Sequence, residues 1–516
     1  MSEIKQSWKL LLSLFLLSAL MHASYAQQRP NIIVIISDDH AYQAISAYGA
    51  KQVRTPNIDR IAREGVLFNK AYVTNSICGP SRAVFLTGKY SHKNGFKDNE
   101  HSRFNGNQHT FIKELKQHGY QTAWIGKWHL ETKPQGFDFW QVLPGQGSYY
   151  NPDFIMMDSS VKRIEGYATT ITEDLAEDWL AQRDRSKPFC LVVGHKATHR
   201  TWIPDTSDFG SYDSVNFDLP KNFYDNYSGR EAARVQDMTI DKTMLLGYDL
   251  KMLSYSKAME PAVSRMNPAQ RAKFDAYYGP IEASLKAANL SGRKLVEWKY
   301  QRYMRDYMST GQSLDRNIGR LLKYLDANEL AKNTLVIYMS DQGFYLGEHG
   351  WFDKRFMYEE SFRTPMVMRF PGKVQPGIVS NDFVMNVDLG PALLDAAGIS
   401  TPAEMQGRSF LPLVTKRSTS ARKAMYYHYY ENGEHAVSPH FGIRTERYKL
   451  IRFYKRVEAW ELYDLQKDPS EMHNLFGKKG YQKLTENLKG QLRKLIAKYE
   501  DSEAVLVLST DPGRIK

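Results

Sequence analysis

Two short segments with the same design constrain the fold of this chain more than any other feature. Residues 31–40 (NIIVIISDDH) and 334–343 (TLVIYMSDQG) each run through apolar, largely β-branched side chains and then reach polar, titratable ones. Continuous apolar runs of this kind are typical of parallel strands that are buried on both faces. Because ligands bind outside the carboxyl ends of the strands in open α/β sheets, both segments carry their polar residues where a site is expected.

Two further apolar segments, 119–130 (GYQTAWIGKWHL) and 189–199 (FCLVVGHKATH), end in the same way. Apolar residues at helical spacing come before two of the strands, in 110–119 and in 314–325. Strands that alternate with helices predict an α/β domain over residues 27–400, with a large, mostly parallel sheet flanked by helices.

The character of the chain changes after residue 400. Residues 424–430 (AMYYHYY), 441–454 (FGIRTERYKLIRFY) and 460–465 (WELYDL) are short, aromatic and alternating, and a helical pattern follows at about 481–499. They predict a smaller C-terminal α+β subdomain over residues 401–516, built on an antiparallel sheet. Residues 204–299 are polar and contain no clear buried strand, which predicts a helical insertion near the active edge of the large domain.

The first 26 residues have the pattern of a cleaved secretory signal peptide. Lys5 and Lys9 come before the apolar run 10–20, and residues 23–26 (ASYA) offer a small-residue cleavage site. The run is shorter than the roughly 20 residues that a membrane-spanning helix needs. A start-anchor helix is the alternative, which the small residues disfavour. We therefore expect a periplasmic or secreted protein without a membrane span.

The charge balance of the chain favours a polyanionic partner. The formal net charge is +12, which suits an acidic glycan, an anionic lipid or a nucleic acid. Nucleic acid is not expected, because the sequence contains no zinc-finger spacing, no aromatic-glycine ribonucleoprotein motif and no run of lysines.

Only two cysteines are present, Cys78 and Cys190. Cys190 lies in an apolar run between Pro188 and Gly194 and is predicted to be a buried structural thiol. A disulfide between the two cysteines is an alternative in an exported protein. Cys78, in residues 76–88 (SICGPSRAVFLTG), remains open as half of a disulfide, a buried small hydrophobe, a thiol nucleophile or the precursor of another group.

Four oxygen donors follow the two most similar strands: Asp38, Asp39, Asp341 and Gln342. Oxygen ligands without histidine or thiolate suit calcium or magnesium rather than zinc. The alternative is that each caps a following helix. Five basic residues would form a positive pocket if they converged, namely Arg82, Lys127, His129, His199 and Lys354. With a divalent cation, such a pocket would bind a tetrahedral oxyanion, sulfate or phosphate.

Residues 78–82 (CGPSR) resemble the Cys-x-Pro-Ser-Arg signature of the type I sulfatases, which are formylglycine-dependent enzymes of the alkaline-phosphatase superfamily. Five more blocks match the order found in that family. They are 29–40 (RPNIIVIISDDH), 55–72 (TPNIDRIAREGVLFNKAY), 126–130 (GKWHL), 340–369 (SDQGFYLGEHGWFDKRFMYEESFRTPMVMR) and 461–475 (ELYDLQKDPSEMHNL). The resemblance therefore covers nearly all of the chain after the predicted signal peptide.

The resemblance implies that a maturation enzyme oxidises Cys78 to formylglycine, an aldehyde that hydrates to a geminal diol. One hydroxyl of the diol would attack sulfur, and the second would expel sulfate by restoring the aldehyde. A single Ca²⁺ ion is implied, held by modified Cys78 together with four other side chains: Asp38, Asp39, Asp341 and Gln342. Relatives often have Asn in place of Gln342, which keeps the amide oxygen but changes its reach.

The resemblance also implies roles for the basic residues. Arg82 and Lys127 would orient and acidify the diol, and His129 would take its proton. His199 and Lys354 would bind the sulfate, and one of them would protonate the leaving oxygen. His195 competes with His199 for this role, but its position near the strand favours a structural one.

The block 347–361 (GEHGWFDKRFMYEES) is most similar to carbohydrate sulfatases of the N-acetylglucosamine-6-sulfatase type from glycan-degrading bacteria. The resemblance thus implies an exported enzyme that hydrolyses O-sulfate esters of polysaccharides or glycosaminoglycan-like oligosaccharides, and we expect exo action. Two alternatives stay open: a phosphonate or phosphate ester hydrolase of the same superfamily, and an inactive relative that binds sulfated glycans.

Overall fold

The structure is a computed structural model that describes residues 29–415 and 421–510, so the predicted signal peptide lies outside the described residues. The strands are, in chain order, β1 (Asn31–Ser37), β2 (Val66–Phe68), β3 (Ala71–Tyr72), β4 (Gln121–Lys127), β5 (Phe139–Leu143), β6 (Asp153–Ile155), β7 (Val161–Arg163), β8 (Phe189–Gly194), β9 (Thr334–Ser340), β10 (Tyr345–Leu346), β11 (Phe352–Asp353), β12 (Met366–Arg369), β13 (Ile378–Ser380), β14 (Val384–Met385), β15 (Ala424–Tyr429), β16 (His440–Thr445), β17 (Tyr448–Phe453) and β18 (Ala459–Asp464). The α-helices are α1 (Pro56–Arg63), α2 (Cys78–Thr87), α3 (Ser91–Asn94), α4 (Phe111–Gln117), α5 (Ala168–Gln182), α6 (Glu231–Val235), α7 (Glu260–Val263), α8 (Pro268–Ala288), α9 (Gly292–Ala327), α10 (Glu359–Phe362), α11 (Leu389–Ala396), α12 (Leu411–Val414), α13 (Gln482–Tyr499) and α14 (Ser502–Ser509).

The large sheet has ten strands in the order β13-β2-β12-β9-β1-β8-β4-β5-β6-β7. Its five central strands, from β9 to β5, are all parallel, which confirms the predicted α/β architecture. The sheet as a whole is mixed, because β12 runs antiparallel to both of its neighbours and β6 and β7 form antiparallel pairs. The parallel pairing places the carboxyl ends of β1, β4, β8 and β9 along one edge.

The central strands are covered on both faces. Ile32, Val34 and Ile36 of β1 pack into one apolar cluster, which includes Phe111 of α4. Ile33 and Ile35 point to the other face and pack with side chains of the long helix α9. Burying one such isoleucine contributes about 1.5–3 kcal/mol, so this strand is held firmly at its place in the sheet.

Two segments that are far apart in sequence come together at the carboxyl edge. Ser37 of β1 is the direct neighbour of Ser340 of β9, and the register holds from Asn31 and Thr334 onwards. The acidic residues that follow both strands are therefore brought to the same place.

The C-terminal region contains a separate antiparallel sheet, β15-β16-β17-β18, which α13 covers. This confirms the predicted smaller α+β unit and its aromatic strands. The domain limits 27–400 and 401–516 stay predictions. Within residues 204–299 the structure forms α6, α7, α8 and the start of α9, with 3-10 turns and loops before α8. That this segment is an insertion also stays a prediction.

Both cysteines are buried free thiols, so the alternative of a disulfide between Cys78 and Cys190 is wrong. Cys190 lies within β8, as predicted. Among the described residues, no helix combines the length and the apolar character that crossing a membrane requires.

Candidate active site

The acidic residues that follow β1 and β9 form one buried cluster. Asp38, Asp39 and Asp341 are each at most 1% exposed, and carboxylate oxygens of all three lie within 4.8 Å of one another. The backbone N–H of Asp39 donates to Oδ1 of Asp341 over 3.2 Å. Asp39 has a φ of +62°, a left-handed conformation that turns the chain sharply at the strand end.

The donor set fits a divalent cation bound by oxygen. Oδ1 of Asp38 and Oε1 of Gln342 are buried, and neither has a hydrogen-bond partner among the described residues. The amide nitrogen of Gln342 donates to Oδ1 of Asp39. Burial raises the pKa of Asp39 to about 7, with a further contribution from Asp341, although Lys354 opposes the rise. Crowded carboxylates with unused oxygens are what a calcium site requires, and a cation there would relieve their repulsion.

Cys78 is the first residue of α2 and faces this cluster. Its sulfur lies within 4.8 Å of a carboxylate oxygen of Asp38 and a ring nitrogen of His199. Pro80 occupies the first turn of the helix, where its missing N–H is not needed. Burial raises the pKa of the unmodified Cys78 thiol to about 12, so the thiol itself is neutral near pH 7.

Two basic side chains hold the acidic cluster from behind. Nε and Nη2 of Arg82 donate to Oδ2 of Asp341 at 3.0 and 2.9 Å, and its Nη1 donates to the backbone carbonyl of Lys127 at 2.9 Å. The Lys127 ammonium pairs with Oδ2 of Asp38. These four side chains are almost completely buried, which makes the ion pairs a rigid support for the site.

His129 lies next to this support, joined to it through Gln146. Oε1 of Gln146 accepts from Nζ of Lys127 at 2.5 Å, and its Nε2 is 3.2 Å from Nε2 of His129. Burial and then the neighbouring Lys127 and Arg82 charges hold the pKa of His129 well below its ordinary value. His129 is therefore neutral near pH 7, as a proton acceptor must be.

Lys354 and His199 line the pocket together with Asp39 and lie close to its carboxylate. Nζ of Lys354 donates to Oδ2 of Asp39 at 2.8 Å, and Nε2 of His199 is 3.8 Å from the same oxygen. Burial alone would lower the pKa of Lys354, but Asp39 and Asp353 hold it well above its ordinary value. Burial, then Lys127 and Lys354, hold the pKa of His199 well below its ordinary value.

Every residue that the sequence singled out for the site lies in or directly behind one pocket, except His195. Its Nε2 is 3.7 Å from Glu173, and it does not line the pocket. The sequence reasoning missed Asn99, Gln146 and Arg200, which come from loops without any periodic pattern. It also gave no role to other lining residues of the block 340–369, such as Asp353 and Arg355. The pocket is lined by Asp39, Cys78, Asn99, Gln146, His199, Arg200, Phe344, Phe352, Asp353, Lys354, Arg355 and Glu434.

Comparison with known proteins agrees with this geometry. The family model for sulfatases matches residues 30–399, and a model described as the C-terminal part of N-sulphoglucosamine sulphohydrolase matches residues 347–498. An N-acetylglucosamine-6-O-sulfatase of Bacteroides thetaiotaomicron is 47% identical, over 92% of this chain and 88% of its own. An ulvan-active sulfatase of Formosa agariphila is 26% identical, over 92% and 82%.

A solved structure superimposes with a TM-score of 0.90 at 47% identity, and the match covers 92% of this chain and 99% of the other. It is described as a complex with its substrate D-glucosamine-2-N,6-O-disulfate. The family match over most of the chain, together with the pocket of buried acidic and basic residues, confirms the resemblance seen in the sequence. The chain belongs to the sulfatase family and is a sulfuric ester hydrolase.

Proposed function

We propose that this protein is an exported, calcium-dependent sulfatase that removes the 6-O-sulfate of glucosamine units in sulfated glycans. The observation that carries the proposal is the match at 47% identity and TM-score 0.90 to a structure that binds D-glucosamine-2-N,6-O-disulfate. The 47% identical N-acetylglucosamine-6-O-sulfatase supports the same sugar and the same position. Export to the periplasm or the medium rests on the signal-like residues 1–26.

The nucleophile is proposed to be residue 78 after a maturation enzyme has converted Cys78 to formylglycine, which supplies a hydrated aldehyde. Asp38, Asp39, Asp341 and Gln342 would hold Ca²⁺, which supplies positive charge to activate the nucleophile and to polarise the sulfate. The two unpartnered buried oxygens, on Asp38 and Gln342, support this assignment.

The surrounding side chains act on protons and on the position of the ester. Arg82 and Lys127 keep the two outer carboxylates in place through their buried ion pairs. His129 would accept a proton from residue 78, a role that its neutral state and its link to Lys127 through Gln146 support.

Lys354 and His199 both line the pocket that the sulfate would enter. Lys354 is fixed to Asp39 at 2.8 Å and keeps its charge, so it anchors the sulfate. His199 is 14% exposed and lies 3.8 Å from Asp39. The negative charge of a bound sulfate would raise its pKa, so His199 would then carry a proton to give to the leaving sugar oxygen.

The test is release of free sulfate from N-acetylglucosamine 6-sulfate and from D-glucosamine-2-N,6-O-disulfate, with calcium present. The protein is first shown by peptide mass to carry the aldehyde at residue 78, and Cys78→Ala is the matched control. Sulfate release that is absent from the control supports the proposal. No release from either sugar, by protein that carries the aldehyde, would refute the proposed substrate.

The two alternatives give different results in the same experiments. A phosphonate or phosphate ester hydrolase would cleave an aryl phosphate faster than the matching aryl sulfate. An inactive glycan-binding relative would lack the aldehyde and release no sulfate. For exo action we expect sulfate to leave only from chain ends, and early loss of sulfate from the interior of a polymer would contradict it.

A further inference from the structure

A second concave surface lies beside the active pocket. It is a cleft of about 550 Å³, whereas the active pocket measures about 80 Å³. Clefts of several hundred cubic ångströms are large enough for sugar-sized ligands. The lining of the cleft comes from residues 223–242, from the start of α9 at 292–296 and from Gly350.

The cleft and the pocket share a thin wall formed around His435. Nε2 of His435 lies 2.7 Å from Oδ2 of Asp353, which lines the active pocket. The backbone N–H of Asp237, which lines the cleft, donates to the carbonyl of His435 over 2.6 Å. Gly350 of the cleft is also only three residues from Asp353 in the chain. The pocket and the cleft are therefore neighbours in the fold, with His435 between Asp353 and Asp237.

The surface of the cleft suits a sugar ring. Tyr224 is 46% exposed, and the guanidinium of Arg293 lies 4.7 Å from the centre of its ring. The hydroxyl of Tyr224 donates to Oε1 of Glu297 over 2.6 Å, and this hydrogen bond fixes the orientation of the ring. The part of the ring that stays exposed offers an aromatic surface to the apolar face of a sugar ring. The guanidinium over the ring adds a positive charge at the same place.

The charges of the cleft suit a sugar that carries anionic groups. Over residues 29–415 and 421–510, Lys242 and Arg293 make no ion pair with a carboxylate, and both are exposed. Asp237 and Asp241 stand at the same surface and can accept hydrogen bonds from sugar hydroxyls. Two cations that pair with no carboxylate among the described residues, together with the carboxylates and the aromatic ring, are complementary to a sugar unit that carries both hydroxyls and an anionic group.

We propose that this cleft is a second glycan subsite, which binds the anionic sugar unit next to the one whose sulfate is cleaved. The inference rests on the proposed function. Such a subsite gives the enzyme a preference for oligosaccharides over the free monosaccharide, because only a longer substrate fills both the active pocket and the cleft.

The test compares kcat/KM for a tetrasaccharide that ends in 6-O-sulfated glucosamine with kcat/KM for the monosaccharide sulfate. We expect the wild type to prefer the tetrasaccharide, and we expect Tyr224→Ala and Arg293→Ala each to reduce the ratio of the two values by about fivefold. Tyr255→Ala is the matched control, because Tyr255 is also 46% exposed, has Lys286 6.0 Å from its ring centre and does not line the cleft. It should leave the ratio unchanged.

The ratio of the two kcat/KM values tests the subsite separately from the proposed function. A wild type without preference for the tetrasaccharide, or a ratio that Tyr224→Ala and Arg293→Ala leave as it is, would overturn the subsite while sulfate release still supports the function. No sulfate release from either substrate would instead refute the proposed function.

Discussion

Two regions of the molecule bury charged side chains to a similar extent, and they differ in how completely those side chains are paired. The first is the acidic cluster of the active pocket. The second, which we call the C-terminal cluster, consists of Asp501, His428, His92, Tyr426 and Tyr430. Asp501 is fully buried, like Asp38 and Asp39.

In the C-terminal cluster every oxygen of the carboxylate is used. Oδ2 of Asp501 lies 2.7 Å from Nδ1 of His428 and accepts from the hydroxyls of Tyr426 and Tyr430 at 2.8 and 3.1 Å. Its Oδ1 accepts from the backbone N–H of Ala504 at 3.1 Å and so caps α14. His92, from the short helix α3, lies 3.2 Å from Oδ2. This cluster joins the C-terminal unit to the large domain.

The active pocket is different because its buried oxygens are only partly paired. Asp38 and Gln342 each keep one oxygen without a partner among the described residues. An unpaired buried polar atom costs about 1–3 kcal/mol, so it persists in a folded protein when a ligand completes it. Other buried carboxylates, such as Glu173, also keep unpartnered oxygens among the described residues. The comparison therefore teaches that neither burial nor incomplete pairing marks a functional site by itself, whereas unpaired oxygens that lie among converging carboxylates do.

The largest effect is expected for the reacting residue itself. Cys78→Ala should reduce sulfate release by about a thousandfold or more, because it removes the nucleophile's precursor. The variant should keep the wild-type melting curve, since the alanine leaves the paired side chains around it intact. Activity near that of the wild type would show that residue 78 is not the nucleophile.

A loss of stability rather than of chemistry is expected in the C-terminal cluster. Asp501→Asn should lower the free energy of unfolding by about 3 kcal/mol, because it weakens several hydrogen bonds to a buried carboxylate. Urea unfolding measures this change, and the activity of the folded fraction should be preserved. Asp275→Asn is the control: its exposed ion pair with Arg271 is worth less than about 1 kcal/mol. Equal effects of the two variants would contradict the prediction.

The free energy of unfolding should depend on pH through the ionisation of Asp501. Burial alone would raise the pKa of Asp501, but His428 and His92 hold it well below the ordinary value of 3.8. A depressed pKa contributes stability that is present above 3.8 and is lost as the pH falls towards the folded-state value. Below about pH 4, the free energy of unfolding should therefore fall more steeply in the wild type than in Asp501→Asn. Parallel curves would contradict this assignment.

A smaller effect is expected at Gln342. Gln342→Leu removes an oxygen from the proposed calcium site and should weaken calcium binding by about tenfold. Gln342→Asn keeps the amide oxygen with a shorter reach, so its effect should be only about threefold. Calorimetric titration with calcium measures both affinities. Gln342→Leu with wild-type affinity would remove this residue from the ligand set.

The sequence predicts the sheet edge well because that part depends on local pattern. The apolar runs of β1 and β9 define buried parallel strands, and the register of Ser37 with Ser340 then forces Asp38, Asp39 and Asp341 together. The same reasoning places Lys127 at the end of β4, behind Asp38. A buried strand and a polar end carry enough information for this part of the site.

The rest of the pocket depends on tertiary packing that no local pattern shows. Gln146 lies in a loop, yet it joins Lys127 to His129. Arg355 has a φ of +96° and is placed by its 2.8 Å ion pair with Glu431, 76 residues later in the chain. Gln146 has no periodic neighbourhood or motif, and the block 347–361 around Arg355 does not show which residue Arg355 pairs with. For the same reason, the antiparallel edges of the large sheet and the Tyr224 cleft did not follow from the sequence.

The most direct test of the central claim, that the converging and incompletely paired oxygens around Asp38 form a calcium site, is a calcium titration followed by thermal unfolding. It compares the wild type with Asp38→Asn and Asp501→Asn. At a calcium concentration 100 times Kd, the wild type should gain about 2.7 kcal/mol of stability. Asp501→Asn should start from a lower stability and gain the same amount, whereas Asp38→Asn should gain much less. No gain in the wild type, or an equal gain in Asp38→Asn, would contradict the account.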